Sequence, residues 1–508
     1  VSDLIESEAP SEEPGPVSTP PSWTRLDTIS MSLITIAAGL LRFIGLDMPK
    51  TLVFDEVYYA KDACWYVTSS SQLCNVTTET TQVHPPLGKW LIALGIRLSD
   101  FNSYGWRVTC AVAGTITIVL VYLLARRLLR STLGAAIATG LLAIDPLHFV
   151  QSRTSMLDIF VPMFGIAAVL FVVYDRDQLV TGPRPSGLLQ RPWRLAAGAA
   201  CGAAVASKWS GIFYLVLIVG LTIAWEIGVR RRDGEGNVAL RFLRTEALSI
   251  VVWLVLVPVV VYLFTYIGRL DGSFTSLPWA EGSWGRALWD RHKYMLDFHT
   301  NLTSTHGYQS PAWSWIALKR PVSYFFDTDA NGNYREVMAT GNPFVWWLSA
   351  VALIYCAVNW VRRRSLASPE GVILGGFLIN YLPWIALGLI SQRSAVFIFY
   401  LLPVIPFMCL ALGYVATKIG DTWEARAAIG VFAVTALGLF GFYYPLLTGR
   451  PLTVKDWDRR IWIFDNCDAA EQRPTESEIT SVVDGKTEIS TTLTTSSDSL
   501  PPPGWCWI

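Results

Sequence analysis

The chain has 508 residues, 52% of them hydrophobic and only 16% charged, with 40 basic and 40 acidic residues that balance to zero net charge. A soluble domain carries roughly a quarter charged residues, so this composition excludes an ordinary soluble enzyme. The charge balance gives no basic surface for nucleic acid.

Residues Val1 to Pro21 are rich in Ser, Pro and Glu and lack an apolar core or cleavage site. Residues 1–25 therefore read as a disordered cytoplasmic tail rather than a secretory leader. About eleven apolar runs follow, each near the ~20 residues that cross a bilayer. They are Leu26–Leu46, Arg107–Leu129, Leu133–Val150, Met156–Tyr174, Arg194–Lys208, Gly211–Val229, Glu246–Ile267, Phe344–Val361, Gly371–Ile390, Ser394–Thr417 and Ala425–Leu447. With the N-terminus in the cytoplasm, alternate connections collect arginines: Arg126, Arg127 and Arg130, then Arg176, Arg184 and Arg191, then Arg230 to Arg232 with Arg241 and Arg244, then Arg362 to Arg364. This parity keeps the short fifth run apart from the sixth and places residues 448–508 outside. The predicted fold is an all-α polytopic plasma-membrane domain over 26–447, with long outer segments at 47–106 and 268–343 where function gathers.

All five histidines (His84, His148, His292, His299 and His306) fall in outer segments or the outer third of a run. Arg42, Asp145, Arg153, Asp158, Lys208 and Arg393 sit near outer ends too. Ionisable groups in a membrane usually line a polar cavity, so these are expected to converge on one outward-facing cavity. Lys208 and Arg393 are equally suited to snorkelling; Asp145 and Asp158 are too short to snorkel far, with helix capping as their alternative.

Two motifs stand out in the first outer segment: Val53-Phe54-Asp55-Glu56-Val57-Tyr58-Tyr59 and His84-Pro85-Pro86-Leu87-Gly88-Lys89-Trp90. An Asp-Glu pair alone is more often a solvated turn than a site, but these apolar flanks argue for anchoring at the membrane face. Apolar residues at Leu87, Trp90, Leu91, Leu94 and Leu98 have the spacing of an interfacial amphipathic helix. Of eight cysteines, Cys110, Cys201, Cys356 and Cys409 lie in apolar runs. Cys64 with Cys74, and Cys467 with Cys506, are expected as disulfides in an oxidising compartment. The Ser/Thr-rich stretch Thr487–Ser499 reads as mobile.

Taken together, Leu41-Arg42-Phe43, Phe54-Asp55-Glu56, His84-Pro85-Pro86-Leu87-Gly88-Lys89, Gly105-Trp106-Arg107, Gln151-Ser152-Arg153 with Leu157-Asp158, Ser207-Lys208, and His306-Gly307-Tyr308 through Trp313 to Trp315 resemble the protein O-mannosyltransferases. The order is colinear from residue 26 to 447. The loop at 268–343 is too short for the β-trefoil domain of eukaryotic members, so the chain is most similar to the bacterial, actinobacterial branch. The resemblance implies a GT-C-type fold with about eleven spans and outer amphipathic helices. It implies inverting transfer of mannose from polyprenyl-phosphate mannose to Ser/Thr hydroxyls of secreted polypeptides, beside the Sec translocon.

The chemistry asks for little. A phosphate leaving group needs a cation rather than a general acid, and the acceptor hydroxyl needs one carboxylate base, unlike the carboxylate pair of a glycoside hydrolase. The resemblance puts Asp55 as base with Glu56 shaping the site, and no metal or cofactor beyond the lipid-linked donor. Arg42, Lys89, Arg107, Arg153 and Arg393 are the expected cations for the donor phosphate. His84, Asp158, His306, Tyr308 and Trp313 are the expected substrate contacts. The alternatives are an arabinose or aminoarabinose transferase, or a secondary transporter, which would call for internal repeats and helices broken near mid-membrane.

Overall fold

Helices start where an apolar run meets a capping side chain. Thr24 and Asp27 form a reciprocal capping box at the head of the helix Arg25–Phe43. Asn342 accepts from the backbone N–H groups of Phe344 and Val345, and Pro343 fills the first position of Pro343–Arg363. At the other end, Arg130 closes Val108–Leu129 in a left-handed conformation with φ of 56°. The structure, a computed structural model, describes residues 21–68, 71–74, 81–181, 187–268, 283–302, 308–390, 396–420, 422–461, 476–483 and 486–493.

Among the described residues, eight helices are long and apolar enough to cross a membrane: Arg25–Phe43, Val108–Leu129, Leu157–Leu179, Trp209–Arg232, Ala247–Phe264, Pro343–Arg363, Pro369–Leu389 and Trp423–Leu447. Two shorter apolar helices, Thr132–Ala143 and Ile405–Ala416, and the 16-residue helix Pro192–Ser207 occupy the other three predicted runs. Apolar residues point outward. On the first helix Leu26, Ile29, Leu33, Ile36 and Leu40 form an exposed stripe, the face expected against lipid tails and too large for a water-facing surface.

Close packing relies on small residues, as membrane bundles do. Pro258 lacks a backbone N–H, and the preceding turn Val252–Leu256 widens into a π-helix. Gly198 of Pro192–Ser207 meets that turn: a Cβ there would lie 1.7 Å from the Trp253 carbonyl oxygen.

At the end of the bundle opposite the Asp55 loop, charges are buried in pairs. Arg194 contacts Asp175 at 2.9 Å, Glu226 at 2.8 Å and Glu246 at 2.8 Å. Arg191 joins Glu226 at 2.8 Å and Glu246 at 3.1 Å, and Arg230 reaches both of these glutamates. No member of this group of three arginines and three acids is more than 3% exposed.

The chain is not wholly helical. Strands β1 (Val322–Thr328) and β2 (Tyr334–Ala339) pair antiparallel, and the segment after the last span adds to their edge through reciprocal bonds between Tyr334 and Leu452. Glu476–Val483 and Lys486–Leu493 pair antiparallel; the second strand takes in residues 487–493 of the Ser/Thr-rich stretch expected to be mobile, and residues 494–499 lie outside the described residues. The Thr, Val and Ile content of both segments suits strands.

Candidate functional site

Asp55 sits at the head of the helix Glu56–Val67 without capping it, because its side chain accepts no hydrogen bond from the helix's backbone N–H groups. The preceding Phe54 has φ of 46°, an unusual conformation for a bulky residue that persists only when its surroundings impose it. Here the ring stacks on Tyr324 at 4.5 Å and meets Phe399 edge-on at 5.8 Å. Gln151 donates to the Tyr324 hydroxyl at 2.7 Å, so the turn at 151 and the β-hairpin together set the direction of Asp55.

Glu56 has a different position. Its two oxygens receive Arg107 Nε at 2.8 Å and Nη2 at 2.7 Å, the Val53 N–H at 3.0 Å and the Ser155 N–H at 2.9 Å. Arg107 spends its remaining N–H groups on the carbonyls of Leu46, Pro49 and Thr51. This saturated, fully buried pair ties the loop to the helix Val108–Leu129.

Asp55 instead faces Tyr59, whose hydroxyl donates to it, and feels the charges of Lys208 and Asp158. Burial pushes the Asp55 carboxyl up to about 6, with Asp158 adding to the rise and Lys208 and Tyr59 opposing it. Lys208 Nζ reaches both Asp158 oxygens at 2.8 Å and lies 5.0 Å over the Tyr400 ring. An ammonium has three N–H groups, so at least one remains for another anion.

The structure separates the remaining expected residues. Of the cations expected at the donor phosphate, the four described ones are engaged by other partners, Arg107 by Glu56 as above. Arg42 is buried, donating to Ser152, Ala38, Ala143 and His148. Arg153 donates to the carbonyls of Leu41, Arg42, Ile44 and Gly45. Lys89 pairs with Asp62 at 2.9 Å with both side chains fully buried. Its helix, Leu87–Ser99, therefore turns Lys89, Ile92 and Ile96 inward and leaves Leu94 and Leu98 exposed. The apolar stripe expected at the membrane interface, Leu87, Trp90, Leu91, Leu94 and Leu98, is the half-buried to exposed face.

Arg393, His306, Cys467 and Cys506 lie outside the described residues, as do residues 1–20 of the tail expected at 1–25; its last residues are ordered instead, with Thr24 capping the helix that begins at Arg25 and Arg126 donating to the Ser22 carbonyl. Cys64 and Cys74 form a disulfide with a Cα separation of 5.5 Å.

His84 stands 5.8 Å from Tyr59 and 5.3 Å from His299, whose Nε2 donates to the Val83 carbonyl at 2.8 Å. Tyr308 is buried, whereas Trp313 is 67% exposed. Trp313 lines a cavity of about 520 Å³ with Gln309, Lys319, Trp384, Leu389 and Val396. Trp384 packs 4.6 Å from Tyr400, which joins this cavity to the Lys208 neighbourhood. Lys208 was expected at the outward-facing cavity and Tyr59 closes the Val53–Tyr59 motif, but neither of them nor Tyr400 was expected to contact the donor phosphate or the substrate.

Asp55, partly buried, lies beside a lysine at one end of a helical membrane bundle, and the fold is that of membrane glycosyltransferases of GT-C type. The S. cerevisiae protein O-mannosyltransferase Pmt1-Pmt2 complex bound to the sugar donor superposes with a TM-score of 0.71 at 17% identity, covering 88% of this chain and 94% of that one. ArnT from Cupriavidus metallidurans gives 0.52 at 17% identity over 82% of this chain and 65% of its own, so fold alone leaves the sugar open.

The sequence matches narrow it. Residues 32–106 and 100–269 match the family described as dolichyl-phosphate-mannose-protein mannosyltransferase, and residues 285–465 match the C-terminal four TMM region of protein-O-mannosyltransferase. The polyprenol-phosphate-mannose–protein mannosyltransferase of Mycolicibacterium smegmatis (strain MKD8) is 32% identical over 90% of this chain and 96% of its own length. That of Mycobacterium tuberculosis (strain H37Rv) is 31% identical over the same shares. The chain belongs to the protein O-mannosyltransferase family.

Proposed function

We propose that this membrane enzyme transfers mannose from polyprenyl-phosphate mannose to Ser or Thr hydroxyls of polypeptides, with Asp55 as general base. The chain is a mannosyltransferase acting on proteins with a polyprenyl-linked donor. The observation that carries the residue assignment is Asp55 itself. It is held by a strained turn, faces Lys208, and is not consumed by an ion pair as Glu56 is.

In this reading the Asp55 carboxylate takes the acceptor hydroxyl proton as the oxygen attacks the anomeric carbon from the face opposite phosphate. The carbon–oxygen bond to phosphate breaks, its electron pair leaves with the phosphate, and the anomeric configuration inverts. The spare N–H of Lys208 offsets the charge gathering on the leaving phosphate. The neighbouring cavity, with apolar Trp384 and Leu389 and basic Lys319, suits a phosphate carried on a lipid.

The reading places Asp55 on the outer face of the plasma membrane, the N-terminus in the cytoplasm, and the acceptors at the exit of the Sec translocon. It needs no metal. Glu56 has its oxygens occupied by four donors and Asp158 is chelated to Lys208, so neither offers a second carboxylate for a cation at Asp55.

The test is transfer of labelled mannose from polyprenyl-phosphate mannose to a Thr-containing peptide, wild type against Asp55→Asn. Removal of a general base should cost at least ~100-fold in rate. Full activity in the variant rejects the assignment. Inactivity of the wild type alongside turnover of another lipid-linked sugar rejects mannose.

A further inference from the structure

A second cavity, of about 360 Å³, shares no wall residue with the Asp55 site. It is lined by Arg153, Arg335, Arg450 and Asp329, together with Ile44, Met48 and Tyr444. It lies where the first and last long helices end, at Ile44 and Leu447, on the side of the bundle that carries the Asp55 loop. Three guanidiniums face one carboxylate, and that carboxylate is already committed. Asp329 accepts from the Asn331 N–H at 2.8 Å, the Asn333 N–H at 2.9 Å and Asn333 Nδ2 at 3.1 Å, which hold its own turn.

The arginines keep donors in hand. Arg450 lies 5.0 Å over the Tyr444 ring and its guanidinium donates no hydrogen bond among the described residues. Arg335 gives Nε to the Gly449 carbonyl at 3.3 Å and stands 3.9 Å from the half-exposed Asp327 carboxylate. Arg153 is buried and uses Nη1 and one Nη2 bond on backbone carbonyls. Its Nε and second Nη2 proton remain. An excess of planar, multiply donating cations in one concavity recognises a phosphate oxygen set better than a single carboxylate does.

The surroundings identify what carries the phosphate. Ile44 is 56% and Met48 36% exposed, both apolar and both in the cavity wall. The first helix below Ile44 presents its outward stripe at Leu33, Ile36 and Leu40, and the last helix exposes Val431, Val434 and Leu437. A free anion would leave that apolar approach unused. We propose that this cavity binds the phosphate headgroup of an anionic glycerophospholipid, with its acyl chains along the adjoining helix ends. The site is distinct from the one that handles the donor. A headgroup held here would anchor the joint between the first span, the hairpin of β1 and β2, and the segment after the last span, all of which contribute to its walls.

The test is native mass spectrometry of the purified full chain, loaded with phosphatidylglycerol or phosphatidylcholine of matched chains. Polyprenyl phosphate and inorganic phosphate serve as competitors. One phosphatidylglycerol should be retained in preference to phosphatidylcholine. Retention should fall about tenfold or more in Arg335→Gln/Arg450→Gln, since each basic residue near a lipid phosphate contributes on the order of 1 kcal/mol. Arg450→Lys should keep most of it.

Should the double variant not fold, Arg450→Gln against Arg450→Lys decides the matter, because Arg450 is exposed. Equal retention of both lipids, or undiminished retention in a folded glutamine variant, overturns the proposal. One-for-one displacement by polyprenyl phosphate would reassign the cavity to the reaction's own lipid, and displacement by equimolar inorganic phosphate would remove the lipid from it.

Discussion

Two groups of buried charges lie at opposite ends of the helical bundle, and they are built to different rules. In the group of Asp175, Glu226, Glu246, Arg191, Arg194 and Arg230, every acid meets more than one arginine. Arg194 places all five N–H groups, with bonds to Asp175, Glu226, Glu246 and Ser249. In the group of Asp55, Asp158 and Lys208, one acid is chelated while the other accepts from a tyrosine hydroxyl and feels the lysine's charge without an ion pair among the described residues. Burial of charge is expensive in both places. The first group offsets most of that cost, leaving Asp175 Oδ1 and Arg191 Nη1 3.6 Å apart without a hydrogen bond, and joins four helical segments. The second leaves it partly uncompensated, which is the condition under which a carboxylate can accept a proton from a substrate.

The comparison breaks most visibly at Arg194. Arg194→Met takes one partner from each of three carboxylates and should destabilise the protein by about 3–5 kcal/mol, the usual cost of removing one partner from a buried pair. Unfolding of the purified protein in detergent measures the loss, while mannose transfer per folded molecule should stay as in wild type. A fall in turnover at unchanged stability would mean that this end takes part in the reaction.

Lys208→Met should act the other way round, costing about 10²–10³-fold in kcat as a lost electrostatic contact to the leaving group. The double variant Lys208→Met/Asp158→Asn sharpens the point. Recovery of activity would show that the lysine serves only to neutralise Asp158.

The pH profile comes next in size. The base works as a carboxylate, and burial holds the Asp55 carboxyl at about 6. Transfer should therefore fall roughly tenfold for each pH unit below about 6 and level off above it. Because the Lys208 charge opposes the rise at Asp55, residual activity in Lys208→Met should have its midpoint at higher pH.

The smallest effect is expected at the hairpin. Glu336 is buried, accepts from Trp457 Nε1 at 2.7 Å, and burial pushes its carboxyl up to about 7. A folded value above the ordinary ~4.3 of an unfolded chain means that the stabilisation is complete at low pH and lost as pH rises through about 7. Hydrogen-exchange protection over residues 449–458, taken relative to the intrinsic rate at each pH, should fall across that window in wild type and stay level in Glu336→Gln.

How much of this could be read before folding differs residue by residue. Asp55 and Asp158 stood out because a short carboxylate near an apolar run has no cheap explanation. Lys208 was visible too, but as a residue that snorkelling explained equally well. The bond to Asp158, fifty positions away in sequence, separates those readings. Arg42, Arg107 and Arg153 resembled phosphate ligands because their motifs carry charge, yet their guanidiniums bind backbone carbonyls and Glu56. Which acceptor an arginine finds depends on where loop carbonyls fall, and that has no local signature.

The sequence by itself determined the membrane class and the positions of the apolar helices, and it singled out the Asp55-Glu56 pair. Each rests on a local and one-dimensional cost, of charge in lipid or of backbone N–H groups without partners. Tertiary structure alone decided which charges are paired and which is left open. A buried ion is worth keeping only when its partner arrives in the right geometry, and here those partners come from segments that meet only after the helices have packed.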